Sequence, residues 1–139
     1  RLATRRITVT ELDEEQICLI YSMISEMTKK ALNSLKHSKK TEELEAQLST
    51  PGLLGEVHPA EAMCELVENE YIKRLLRNAC DSYIRFALST GRYAEEIKAE
   101  KDKMTEFLKS GELKKVEKSL DAYFKLLAKA VNEERGINE

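Results

Sequence analysis

At 139 residues with 42% apolar composition, the chain is long enough for one domain with its own core. Its 23 basic and 25 acidic side chains give a net charge of −2, so there is no basis for the wholesale phosphate binding of a basic nucleic-acid module. Only five Gly and two Pro interrupt segments rich in Glu, Lys, Leu and Ala, which predicts an all-α fold, an antiparallel bundle of six to seven helices.

Residues 1–10 show no helical period and are expected to be an extended linker from an upstream domain, with residues 11–139 forming a single helical domain. The opening RLATRR, without a methionine, predicts a piece of a longer protein. Asp13 and Gln16 make a capping-box pattern for a first helix over about 13–36. Its stripe is Ile17, Ile20, Ile24, Met27, Ala31 and Leu35, widened by Leu19 and Met23, and that width predicts burial against more than one neighbour. A short helix over 41–48 precedes the connector STPGLLGEVHP, where Pro and Gly forbid continuous helix. Pro59 then opens a helix over about 59–68, and Asn69 caps one over about 70–89 that carries Ile72, Leu75, Leu76, Ala79, Tyr83, Phe86 and Ala87.

The last two helices, about 92–109 and 112–134, are joined at Ser110-Gly111, and each places one polar residue inside an apolar stripe. The first reads Ile97, Lys101, Met104, Leu108; the second reads Leu113, Val116, Leu120, Tyr123, Leu127, Ala130. An ammonium is rarely fully buried without a partner, so Lys101 is the most informative local anomaly. Lys101 lies ten residues before Gly111 and Tyr123 twelve after it. By helical rise both are roughly 15 to 18 Å from the turn, and they are expected to face each other at one level. The competing reading pairs Lys101 with a carboxylate such as Glu56, or lets it snorkel to water, with Tyr123 an ordinary core residue.

No nucleophile with a base, no acid/base carboxylate pair and no Gly-rich phosphate loop is found, so an enzyme is not expected. Cys18, Cys64 and Cys80 match no metal or redox spacing and are expected to be free thiols in a reducing cytoplasm. No apolar run approaches the roughly 18 residues that cross a bilayer, and no membrane contact is expected.

In order and spacing the segments resemble the C-terminal FCD effector domain of FadR-like GntR transcription regulators, over nearly the whole chain. ITVTELDEEQICLIY, residues 7–21, is similar to the opening phrase of that domain, and Asn69-Glu70-Tyr71-Ile72 with Leu75 and Leu76 to its capped middle helix. Glu100-Lys101, Gly111-Glu112 and Tyr123 stand where the family reads E-H, G-D and a final H. Metal-binding members hold a divalent cation with one acid and three histidines; those positions fall here at Glu56, Ala60, Lys101 and Tyr123. One possible ligand of four remains, beside an ammonium that opposes a cation, so no metal cofactor is expected. The first-helix arginine that often grips an effector carboxylate is replaced by Ile24.

The resemblance implies a bundle-core pocket for a small carboxylate or acyl effector, a homodimer with the apolar surface of helices one and four as its interface, and DNA contact only through an absent N-terminal winged helix domain. Candidate ligand-binding residues are Lys101, Tyr123, Glu56, His58, Asn78 and Arg85. Lys101 offers a fixed cation and Tyr123 a hydroxyl donor. His58 lines the pocket if the connector shifts by two residues, although a lone histidine after a flexible loop is more often exposed. Asn78 and Arg85 sit at the edge of the fourth helix's stripe, where solvated side chains are common. The rival reading is a helical protein-interaction module with no small-molecule ligand.

Overall fold

The structure, a computed structural model, describes residues 12–37, 40–49, 51–52, 55–56 and 58–138. The expected linker, residues 1–10, lies outside the described residues. The fold is all-α: α1 (Glu14–His37), α2 (Thr41–Ser49), α3 (Pro59–Leu66), α4 (70–89), α5 (Ala94–Lys109) and α6 (Leu113–Asn138). In the connector, Pro51–Gly52 pairs antiparallel with Gly55–Glu56. Among the described residues no helix is long and apolar enough to cross a membrane.

The helix starts follow from side chains that satisfy free backbone donors. Gln16 N–H donates to Asp13 Oδ1 at 2.8 Å and Asp13 N–H to Gln16 Oε1 at 2.9 Å, the reciprocal capping box. Asn69 Oδ1 accepts from the N–H groups of Tyr71 and Ile72 at the head of α4. At the end of α5, Gly111 adopts φ +76°, the Glu112 N–H reaches the Phe107 carbonyl and the Gly111 N–H reaches Leu108. This left-handed C-cap closes α5 and sends α6 back alongside it.

α6 is the central helix, packed extensively on both α5 and α1. It buries Val116, Leu120, Tyr123, Phe124, Leu127, Ala130 and Val131. α1 buries Ile17, Tyr21, Ile24, Thr28, Ala31, Leu32 and Leu35, a fully buried Leu or Ile side chain being worth about 1.5–3 kcal/mol. Leu19 and Met23, expected to widen the buried stripe, are instead 60% and 61% exposed. The buried face contains polar residues whose hydrogen bonds are local or paired. Thr28 Oγ1 donates to the Ile24 carbonyl, and Ser25 Oγ donates to Asp121 Oδ1, both at 2.7 Å.

α4 is continuous but not uniform. Glu70–Ala79 is α-helical, Cys80–Ile84 is π-helical, and Arg85–Ser89 returns to α. Within the π stretch the Arg85 N–H donates to the Cys80 carbonyl five residues back. Leu76, Ala79, Cys80, Ile84 and Ala87 are its buried residues across that stretch. The following turn holds Gly91 at φ +71° and Tyr93 at φ 57°, so α5 starts at Ala94 rather than at the expected 92. α3 likewise stops at Leu66, since Val67 is extended, and α6 runs past the expected 134.

Candidate functional site

Lys101 and Tyr123 are 6% and 2% exposed, and both line one cavity of about 170 Å³. Its walls come from the head of α3 through His58, the end of α4 and its turn through Leu88, Gly91 and Arg92, and α5 through Ala94, Ile97 and Lys98. Two helical stripes of consistent period, reversed at Gly111, bring position 101 and position 123 to the same place, as their counts from the turn require. Lys101 does not reach out to water; the snorkelling reading does not describe it.

His58 is buried rather than exposed, at 4%. It is the N-cap of α3, with Pro59 in the first turn, and its Nδ1 accepts the Ala60 N–H at 2.9 Å. An accepting Nδ1 carries no proton, so the neutral ring holds its proton on Nε2. That Nε2 is buried and has no hydrogen-bond partner. Burial, followed by the positive charge of Lys101, pushes the His58 pKa down to about 3, so the ring is a neutral donor at ordinary pH. Its edge packs on Tyr123 and Phe124, with centroids 5.0 and 5.9 Å away.

An orphaned buried donor costs about 1–3 kcal/mol, which an accepting ligand atom recovers. Among the described residues, the charged groups that line the cavity are cationic: Arg92, Lys98 and Lys101. Arg92 Nε donates to Glu134 Oε1 at 3.0 Å. The Tyr93 hydroxyl donates to Glu133, and the Lys129 ammonium lies 4.9 Å from the Tyr93 ring, so α6 holds this turn in place. The first backbone N–H groups of α5 open at Ala94 on the cavity wall without a side-chain cap, adding the positive end of a helix.

The remaining candidates lie elsewhere. Asn78 is exposed and lines a groove of about 630 Å³ between α1 and α4. Arg85 is 68% exposed and pairs with Glu61 and Asp81, each at 3.7 Å. Neither lines the Lys101 cavity. The side chain of Glu56 lies outside the described residues. Sequence reasoning missed Arg92, Lys98 and the head of α5: a left-handed tyrosine leaves no signature in a periodicity count. Among the described residues no group of three or more His, Cys, Asp or Glu side chains is placed to hold a metal ion.

Comparison of the chain with protein-family models, curated proteins and solved structures gives no match.

Proposed function

We propose that this domain senses a small organic anion in the cavity of His58, Lys101 and Tyr123, as the effector-binding and dimerising half of a GntR-type regulator of the FadR-like branch. One observation carries the reading: a buried, unpartnered His58 N–H donor shares a cavity whose charged lining side chains, among the described residues, are three cations. Such a site favours a ligand that brings acceptor oxygens and negative charge. A volume of about 170 Å³ supports a short carboxylate over a long acyl chain. Lys101 supplies charge without a metal, and the domain performs no catalysis. DNA contact would belong to a winged helix domain preceding residue 1.

The test is a thermal shift against a panel of short mono- and dicarboxylic acids, with wild type beside Lys101→Met, which keeps the side-chain length and removes the charge. At least one acid is expected to raise the melting temperature of wild type in a concentration-dependent way and to leave the variant unmoved. Equal shifts in both proteins, or none in wild type, would overturn the anion site. The second outcome would favour the interaction-module reading, to which the open α1–α4 groove lends its own support.

A further inference from the structure

The Lys101 cavity has two unlike ends. Lys101, His58 and Tyr123 are buried and form the inner one. Gly91, Ala94 and Lys98 also line the cavity but are exposed, so they form its mouth. Ala94, Ile97, Lys98 and Lys101 recur at helical steps, and one face of α5 therefore runs from the mouth to the interior. Seven residues separate Ala94 from Lys101, a rise of about 10 Å. Between them on that face lies Ile97, which is buried, and Leu88 of α4 adds a second apolar side chain to the wall.

We infer that the ligand of this cavity is a short dianion, with one anionic group at Lys101 and His58 and a second at the mouth, beside Lys98 and the head of α5, across an apolar spacer. The inference rests on the anion-site reading and adds a second charge to it. At the inner end the His58 Nε2–H lacks a partner and the Lys101 ammonium is withdrawn from water, so an ionised group there makes charge-assisted hydrogen bonds.

At the mouth, α5 begins after the left-handed Tyr93 with no side-chain cap, and its first N–H groups present the positive end of a helix of 16 residues. Lys98 follows Ala94 by one turn on the same wall. Arg92 lines this end too, its charge offset by Glu134, which accepts from Nε. Glu95 and Glu96 of the same turn are exposed and are not among the residues that line the cavity. A monocarboxylate seated at Lys101 would bring its hydrocarbon tail to this cationic mouth, whereas a second anionic group meets it with charge. The volume of about 170 Å³ keeps the spacer short. Because the mouth is exposed, dissolved salt screens the second group more than the first.

The test is isothermal titration of the protein at low salt with butyrate and with two acids of the same backbone length and a second charge, succinate and 3-phosphonopropionate. At least one dianion is expected to bind about fivefold more tightly than butyrate or better, and the tighter of the two identifies the second group as carboxylate or phosphoryl. That advantage is expected to shrink at high salt and in Lys98→Met, whose side chain is exposed. Equal binding of butyrate and both dianions would overturn the second group and leave the anion site standing. An advantage undiminished by Lys98→Met would overturn its place at the mouth. Failure of all three acids to bind would overturn the dianion, whereas the anion site falls only if the wider acid panel fails as well.

Discussion

Burial gives the two nitrogens of His58 separate tasks: Nδ1 caps α3 through Ala60, and Nε2 is left as a buried donor. The same burial has a measurable cost in acid. The folded-state pKa of about 3 lies below the ordinary histidine value of 6.5, so below that value the unfolded chain takes up a proton that the folded ring refuses. The stability contribution is complete above pH 6.5 and is lost as pH falls towards 3, by at most about 1.4 kcal/mol per pH unit. His58→Asn keeps an N-cap acceptor and removes the titration. Urea unfolding between about pH 7 and about pH 4.5 should show wild type losing stability more steeply than the variant, since carboxylates contribute to both. Parallel curves would mean that His58 is hydrated or charged in the folded state.

At the scale of elements, the reversal at Gly111 decides where Lys101 and Tyr123 meet. Gly111 sits at φ +76° with no atom within 4 Å of a built Cβ, so alanine there meets strain and no clash. Gly111→Ala should cost about 1–2 kcal/mol and lower the melting temperature by several degrees, read by calorimetry. An unchanged transition would show that the cap is not left-handed. This turn was legible because glycine, a preceding serine and two interrupted stripes coincide there. The capping box of Asp13 and Gln16 and the cap at Asn69 were legible for the same reason: their chemistry is local. Three features were not. The π stretch of α4 leaves no mark in a buried pattern, Leu76, Ala79, Cys80, Ile84 and Ala87, that an uninterrupted helix would also show, and the left-handed Tyr93 is sustained by contacts to Lys129 and Glu133 far along the chain. His58 looked exposed because its connector is rich in Pro and Gly, while its burial comes from Tyr123 and Phe124 on α6.

For the whole molecule, the apolar residues of α1 split between two environments that sequence periodicity does not separate. Ile17, Ile24 and Leu35 are buried, whereas Leu19 and Met23 face outward, joined by Tyr71 and Leu75 of α4 at 77% and 54% exposure. Met23 and Leu75 border the α1–α4 groove, whose apolar floor suits a second copy of the same surface. A homodimer built there predicts that wild type sediments as a dimer and that Met23→Glu with Leu75→Glu sediments as a folded monomer, because both side chains are exposed within one chain. A wild type that stays monomeric at high concentration removes this interface. α4 also links the two regions: Leu75 and Asn78 border the groove near its middle, and Leu88 reaches the Lys101 cavity at its end, with the π stretch between them. An anion that favours one packing of α4 must change dimer affinity by the same factor by which dimerisation changes anion affinity. Sedimentation at several protein concentrations, with and without a stabilising acid, should therefore show a shifted dimer dissociation constant. An unshifted constant beside a clear thermal shift would mean that the cavity binds its ligand without moving α4, and the groove and the cavity would then act independently.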